Sequence, residues 1–179
     1  MKVICFGESN TYGYDPLSWI GGRYKQQYRW TDILQKETGW SIQNWGINGQ
    51  QIPAVSPEIP DDTDLLIIML GTNDLLQGYS HKETAQRMNT FLQTFPASRN
   101  YALILISPPS MRYGEWVSDE TILTNSQMLE QEYQAIAKIH SIPLICTGCW
   151  KIPLAYDGVH FTQEGHQLFA KLLKKELKP

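Results

Sequence analysis

The chain has 179 residues, 42% of them hydrophobic, which suits one globular domain with a sizeable core and is short for two. We therefore expect a single domain over residues 1–179. Its 15 Lys and Arg residues stand against 18 Asp and Glu residues, a formal net charge of −3. With no basic block ahead of the extreme C-terminus, this balance argues against nucleic acid or an anionic membrane as a partner. We expect a small-molecule substrate, and the sequence leaves a homo-oligomer open.

The N-terminal residues do not resemble a secretory signal. Lys2 is followed by only four apolar residues before Gly7, and no stretch approaches membrane-spanning length. We expect a cytoplasmic protein, and 3 cysteines fit a reducing compartment. Cys146 and Cys149 form a C-x-x-C motif without the second pair of a zinc site, which favours structural or incidental thiols over a redox or metal role. We expect neither a metal nor a cofactor.

The apolar run at residues 3–6 predicts a buried strand that stops at Gly7, because β-branched and aromatic residues favour strands. Ser9 follows in a loop of small and polar residues. In open α/β sheets, ligands collect at the carboxyl ends of strands, and N–H groups at the start of a helix can face an anion. The loop therefore has two interpretations. It cradles a phosphate, as in flavodoxin-like nucleotide binders, or it presents Ser9 as a nucleophile whose N–H helps to hold an oxyanion.

Further elements alternate along the chain. Residues 14–24 are rich in Pro, Gly and aromatic residues and predict a loop. Trp30, Ile33 and Leu34 have helical spacing, and residues 40–44 predict a second strand. Two glycines punctuate the loop after that strand, so backbone N–H groups there can approach a ligand.

Two continuous apolar runs, residues 64–70 and 101–106, have the pattern of strands that are covered on both faces. A helix between them begins with a predicted capping box, Ser80 with Glu83. A short fifth strand is predicted over residues 142–145. Strands that alternate with helices predict an α/β fold with a parallel sheet between helical layers.

An Asp lies three residues before a His in the segment Asp157-Gly158-Val159-His160. Such an Asp can accept the imidazole Nδ1–H, which leaves Nε2 to take a proton from a serine. Alone, a D-x-x-H segment is also typical of a capped loop. Ser9, Gly49, Asn73 and His160, however, all follow predicted parallel strands and should share one rim of the sheet. A serine, a histidine with its carboxylate and two spare donors are the parts that acyl transfer needs.

With these residues, the chain resembles the SGNH hydrolases, the GDSL-type esterases, over almost its whole length. The matching segments follow the family's order: Gly7-Glu8-Ser9-Asn10-Thr11, Asn44 with Gly49, Gly71-Thr72-Asn73-Asp74, and Asp157-Gly158-Val159-His160-Phe161-Thr162. Residues 67–74 and 107–109 look most like the small arylesterase and acyltransferase branch. The resemblance implies a three-layer α/β/α sandwich around a flavodoxin-like, five-stranded parallel sheet.

The resemblance also implies a role for each matching site residue. It makes Ser9 the nucleophile, His160 the base and Asp157 the residue that orients His160. It places the oxyanion hole at the N–H groups of Ser9 and Gly49 and at the side-chain amide of Asn73.

The transfer of the family pattern leaves one alternative donor and one departure. Gly46 is a rival to Gly49 as the N–H donor, although Gly49 has the family's spacing after Asn44. Glu8 stands where the family usually has Asp. That Asp is a structural neighbour of the nucleophile, so the longer carboxylate of Glu8 affects local geometry and not the mechanism.

We therefore expect a serine hydrolase that cleaves short-chain carboxylic esters through a Ser-His-Asp acyl-enzyme mechanism. A carbohydrate O-acetyl esterase and a lysophospholipase or acyl thioesterase are alternatives. The non-enzymatic alternatives are a flavodoxin-like phosphate- or nucleotide-binding module and a catalytically inactive module.

Substrate choice should depend on the loops. Aromatic residues in the two longest loops either stack on a substrate ring or pack their own loops: Trp19, Tyr24, Tyr113 and Trp116. We see no insertion long enough to form a lid or tunnel, and so expect a shallow pocket between the Ser9 and Ser107 loops.

Overall fold

The structure is a computed structural model that describes residues 1–177; the last residues of the predicted domain, Lys178 and Pro179, lie outside it. Its sheet has five strands: β1 (Lys2–Gly7), β2 (Ser41–Gly46), β3 (Leu65–Met69), β4 (Ala102–Ile106) and β5 (Leu144–Ile145). They lie in the order β2-β1-β3-β4-β5, and every neighbouring pair is parallel. This is the flavodoxin-like order, and the predicted fold is confirmed.

Helices cover both faces of the sheet. They are α1 (Ser9–Tyr12), α2 (Trp30–Thr38), α3 (Thr72–Leu76), α4 (His81–Gln93), α5 (Glu120–His140) and α6 (Gln163–Glu176), with a 3-10 turn at Gln26–Tyr28. Helices α2 and α6 pack together on one face, and α4 packs with α5 on the other. None of the helices within residues 1–177 is both long and apolar enough to cross a membrane.

Strand β3 shows why its apolar run is continuous. Successive side chains of a strand point to opposite faces, and here both faces are covered. Leu66 and Ile68 belong to the core cluster that includes residues of α4 and α5. Leu65 and Ile67 belong to the cluster on the other face, which includes residues of α2 and α6. Neither side of the strand tolerates a polar residue.

Local signals mark several element ends. Ser80 and Glu83 form the predicted capping box at the start of α4. Gly39, with a φ of +72°, ends α2 in the left-handed conformation that glycine favours. Strand β5 starts later than predicted, because the Ile142 N–H closes the end of α5 on the Ala137 carbonyl, 3.0 Å away.

The order of the strands creates one special position. From β1 the chain passes to β2 on one side and then to β3 on the other, so the direction of winding reverses at β1. In open α/β sheets, ligands bind at such a switch point, outside the carboxyl ends of the strands. Ser9 lies there, two residues beyond Gly7, the last residue of β1.

Candidate active site

Asp157 and His160 form a buried, hydrogen-bonded pair. His160 Nδ1 lies 2.7 Å from Asp157 Oδ2, and each residue is only 1% exposed. Asp157 Oδ1 accepts the backbone N–H groups of Val159, at 2.9 Å, and of His160, at 3.0 Å. The loop therefore folds back on itself as its D-x-x-H segment predicts, and the carboxylate sets the orientation of the imidazole.

The hydrogen bonds around Asp157 keep it ionised. Burial on its own would raise the pKa of Asp157, but the bonds from the His160 ring and from the two backbone N–H groups lower this pKa below its ordinary value. An ionised Asp157 holds the imidazole proton on Nδ1. Nε2 is then the nitrogen that can accept another proton.

Asn10 connects the start of α1 to the His160 loop. Its side-chain Nδ2 donates to the Val159 carbonyl at 3.1 Å, and its Oδ1 accepts the Phe161 N–H at 2.9 Å. These two contacts lie on either side of His160, and Ser9 directly precedes Asn10. Asn10 therefore ties the start of α1, where Ser9 lies, to the loop that carries His160. In the sequence, Asn10 stands out only as part of the segment around Ser9, and no local pattern indicates this role.

The turn that carries Ser9 is packed too tightly for larger residues. A Cβ on Gly46 would lie 2.1 Å from the Tyr12 nitrogen, and one on Gly7 would lie 2.3 Å from Thr11 Oγ1. Ser9 is buried as the first residue of α1, so its N–H has no partner within the helix.

The two rival glycines differ in the state of their N–H groups. Gly46 N–H donates to Asn44 Oδ1 at 2.9 Å. Gly49 is exposed in a turn with a φ of +76°, and within residues 1–177 its N–H donates to no protein group. Nothing lies within 4 Å of a Cβ built on Gly49. Of the two, Gly49 therefore has the N–H that a bound molecule can reach.

Glu8 and Asn73 are directly bonded. Glu8 Oε2 accepts the Asn73 backbone N–H at 3.1 Å and its side-chain Nδ2 at 3.0 Å, and Oε1 accepts the Thr72 N–H at 3.1 Å. Burial raises the pKa of Glu8 to about 7, although the hydrogen bonds from Thr72 and Asn73 oppose the rise. The carboxylate that replaces the family's usual Asp thus reaches the Asn73 side chain.

The amide of Asn73 is less free than its predicted role suggests. Besides its bond to Glu8, Asn73 Nδ2 donates to the Gln50 carbonyl at 3.1 Å. Both hydrogens of this nitrogen are therefore engaged, and Asn73 can donate to a substrate oxygen only by exchanging one of these bonds.

Asp74 fixes the loop that carries Gly49. This fully buried carboxylate accepts Arg87 Nε at 2.6 Å and the Ile52 N–H at 3.0 Å. Arg87 Nη2 in turn donates to the Ile52 carbonyl at 3.1 Å. The burial of Asp74 raises its pKa, an effect that the Ile52 and Arg87 bonds oppose. Asp74 was visible in sequence only as the last residue of the segment G-T-N-D.

The two other histidines of the C-terminal half, His140 and His166, make hydrogen bonds outside the Asp157–His160 pair. His140 Nε2 lies 2.8 Å from Asn89 Oδ1 at the end of α5. His166 is completely buried, and burial lowers its pKa to about 3, so it is neutral at physiological pH. Its Nδ1 accepts the Trp30 N–H at 3.4 Å.

Ser107, the first residue of the loop after β4, has a structural hydroxyl. It is fully buried, and its hydroxyl donates to Glu130 Oε2 at 2.7 Å and accepts the Thr147 N–H at 3.1 Å. These bonds hold the end of β4 against α5 and the segment after β5. Within residues 1–177, no group of three His, Cys, Asp or Glu side chains, Cys146 and Cys149 included, is arranged to hold a metal ion.

An α/β/α sandwich that brings a serine, a buried Asp-His pair and amide donors to one edge of its sheet has the organisation of an ester hydrolase. The model of the GDSL-like Lipase/Acylhydrolase family matches residues 5–168, and this chain belongs to that family. It is an ester hydrolase, and the resemblance seen in the sequence is confirmed.

Solved structures of ester hydrolases share the fold over nearly their whole length. The aryl esterase of M. smegmatis superposes with a TM-score of 0.83 at 21% identity, over 98% of this chain and 97% of that chain. A putative arylesterase from Agrobacterium tumefaciens str. C58 gives a TM-score of 0.82 at 23% identity, with the same coverage of 98% and 97%. Est24, a carbohydrate acetylesterase from Sinorhizobium meliloti, superposes with a TM-score of 0.80 at 21% identity, over 98% of this chain and 97% of that chain. No curated protein matches the chain significantly.

Proposed function

We propose that this protein hydrolyses short-chain carboxylic esters through an acyl-enzyme on Ser9. Ser9 Oγ bonds to the ester carbonyl carbon while its proton passes to His160 Nε2, and Asp157 stabilises the imidazolium that forms. The alcohol then leaves with that proton. Water repeats both steps on the acyl-enzyme, which releases the carboxylic acid and restores Ser9. The observation that carries the proposal is the buried Asp157–His160 pair at 2.7 Å, which Asn10 ties to the start of α1.

The carbonyl oxygen becomes negatively charged in this mechanism and needs donors. We assign the N–H groups of Ser9 and Gly49 and the amide of Asn73 to this oxyanion. The free N–H of Gly49 and the engaged N–H of Gly46 support the choice between these glycines. Asn73 contributes when the substrate oxygen replaces one of its present acceptors.

The preference for short acyl groups rests on the open surface beside Gly49. Apart from its two chain neighbours, no atom of residues 1–177 stands within 4 Å of a Cβ built on Gly49, so the surface next to this donor is open. A carbohydrate O-acetyl ester is the second candidate, because Est24, whose structure is similar, is a carbohydrate acetylesterase.

The decisive experiment is hydrolysis of p-nitrophenyl acetate by wild type and by Ser9→Ala. We expect the variant to fold and to lose activity, and a serine-directed phosphonate to label Ser9 in the wild type only. Ser98→Ala is the matched control, since Ser98 is exposed and precedes β4, at the opposite end of the sheet. An active Ser9→Ala protein would refute the assignment, and phosphate or nucleotide binding without hydrolysis would favour the flavodoxin-like binding module.

The base and its orienting residue have their own variants. His160→Ala should be as damaging as Ser9→Ala, and Asp157→Asn should lose much of the rate because it favours the wrong tautomer. His140→Ala serves as the control histidine. An essential His140 with a dispensable His160 would show that the base is misassigned.

A chelator tests the remaining chemical alternative. We expect dialysis against a chelator to leave the activity unchanged, because the proposed mechanism uses only water and the protein's own side chains and backbone N–H groups. Activity that is lost on dialysis and restored by zinc would instead assign a metal-binding role to Cys146 and Cys149.

A further inference from the structure

The His160 imidazole is flanked by two aromatic rings. Its centroid lies 4.6 Å from that of Tyr14, with an interplanar angle of 54°, and 4.9 Å from that of Trp116, at 85°. His160 is 1% exposed, whereas Trp116 is 46% exposed. Trp116 therefore covers the imidazole on one side and still presents half of its surface to solvent.

Backbone contacts hold Trp116 in this position. Its N–H donates to the Asp157 carbonyl at 3.1 Å, and the Arg112 N–H donates to the Gly158 carbonyl at 3.0 Å. Between them lies Gly114, where a Cβ would be 2.4 Å from the Asp157 carbonyl carbon. The segment from Arg112 to Trp116 is thus packed directly onto the loop that carries His160, which brings the indole beside the imidazole.

The mechanism decides which part of an ester meets Trp116. When the acyl-enzyme forms, the carbon–oxygen bond to the alcohol breaks and the alcohol oxygen takes the proton from His160 Nε2. The alcohol portion must therefore leave from beside the imidazole. The carbonyl oxygen points instead to its donors at Ser9, Gly49 and Asn73. A residue that flanks His160 consequently contacts the alcohol portion.

We propose that Trp116 determines specificity for the alcohol, forming a flat wall that selects esters whose alcohol carries a ring with an apolar face. This inference rests on the proposed function. Phenols and sugar pyranoses both have such a face, and either can pack on an indole. Tyr14 supplies the second aromatic ring at the same imidazole.

The other aromatic candidates from the sequence lack this position. Trp19 is fully exposed in the loop before α2. Tyr24 is buried and packs edge-on against His166, with centroids 5.4 Å apart. Tyr113 is 60% exposed, and within residues 1–177 its ring contacts no other aromatic ring. Of the four predicted residues, Trp116 is thus the one whose ring lies against His160.

The test compares acetate esters that differ only in the alcohol: phenyl acetate, an acetylated methyl glycoside and ethyl acetate. For each ring-bearing ester, kcat/KM is divided by that for ethyl acetate, so that intrinsic reactivity cancels between variants. In Trp116→Ala we expect this ratio to fall about tenfold for at least one ring-bearing ester, mainly through KM. The ester whose ratio falls identifies the alcohol as aryl or sugar. Trp116→Phe should recover part of the ratio, and Trp19→Ala is the matched control.

Each outcome separates this inference from the proposed function. Ser9-dependent hydrolysis with unchanged ratios in Trp116→Ala, or an equal loss for all three esters, overturns the specificity role and leaves the esterase proposal intact. A wild type that hydrolyses none of the esters overturns both. If Trp116→Ala fails to fold, as judged by its thermal melt, the ratios of Trp116→Phe decide, since a phenyl ring preserves the packing and reduces the stacking area.

Discussion

Asn73 donates hydrogen bonds from both of its nitrogens to the same carboxylate oxygen of Glu8, at 3.1 Å from the backbone and 3.0 Å from the side chain. Glu8 is buried and also accepts the Thr72 N–H. It therefore orients the amide that we assign to the oxyanion. A residue adjacent to the nucleophile in sequence thus acts on a residue 65 positions away.

Glu8→Ala should lower both stability and kcat. It removes the acceptor for three N–H groups, and each buried donor left unpaired costs about 1–3 kcal/mol. Glu8→Asp retains a carboxylate and should retain more activity than Glu8→Ala. Urea denaturation and steady-state kinetics on p-nitrophenyl acetate measure the two effects. Full activity in Glu8→Ala would show that Asn73 does not depend on Glu8.

The raised pKa of Glu8 predicts how the stability of the protein depends on pH. Burial raises this pKa from 4.5 to about 7 in the folded protein. Between these values the folded state keeps a proton that the unfolded state has lost, so the free energy of unfolding falls as the pH rises through this window. Residue 8 cannot ionise in Glu8→Gln, so the free energy of unfolding of this variant should fall less over the same pH range.

Urea denaturation of wild type and Glu8→Gln at pH 5 and pH 8 measures the difference. His166, whose pKa burial lowers to about 3, contributes the opposite slope at acid pH. It is present in both proteins and cancels in the comparison. If the free energy of unfolding changes by the same amount in wild type and in Glu8→Gln between pH 5 and pH 8, a raised pKa for Glu8 is contradicted.

Asn10→Ala should disturb catalysis without removing a reacting group. The change deletes the bonds to Val159 and Phe161 that flank His160, and an error of about 1 Å in the alignment of reacting groups can cost about 100-fold in rate. Asn100→Ala is the control, because the Asn100 side chain donates to the Asp61 carbonyl at 2.6 Å, at the opposite end of the sheet from His160. A loss of kcat in Asn10→Ala that is no larger than in Asn100→Ala would refute the role of Asn10.

Asn73→Ala should lower kcat by roughly 10²–10³ with little change in KM, since an oxyanion donor acts mainly in the transition state. Its bonds to Glu8 and Gln50 add a loss of stability. Asn125→Ala provides the comparison, because Asn125 also makes two hydrogen bonds, its Oδ1 accepting the His81 N–H at 3.1 Å and lying 2.8 Å from the His81 Nδ1 at the start of α4. If both variants lose stability and neither loses kcat, Asn73 is a structural asparagine.

The value of kcat/KM should depend on the length of the acyl group. We expect acetyl to butyryl esters to be preferred, because the surface beside Gly49 is open. The kcat/KM values for p-nitrophenyl acetate, butyrate, octanoate and palmitate give the profile directly. A maximum at octanoate or beyond would place a lysophospholipase or thioesterase first.

Much of this protein follows from patterns that are local in sequence. The burial of β3 on both faces is encoded in its uninterrupted apolar run, and the capping box of Ser80 and Glu83 spans one helical turn. Asp157 and His160 are three residues apart, so their bond requires only that one loop fold back. Such contacts involve little loop-closure entropy and depend on few other residues, which is why residue type and spacing predict them.

Only the tertiary structure decided how these pieces meet. Asn10 reaches Val159 across 149 residues, and Trp116 covers His160 from a loop that carries no helical or strand periodicity. The hydrogen bond from the Asn73 side-chain amide to Glu8 could not be predicted from the sequence either. These contacts depend on the strand order β2-β1-β3-β4-β5 and on the side of the sheet that each loop reaches. No residue pattern within one segment specifies them, because they arise when segments distant in sequence pack at the same edge.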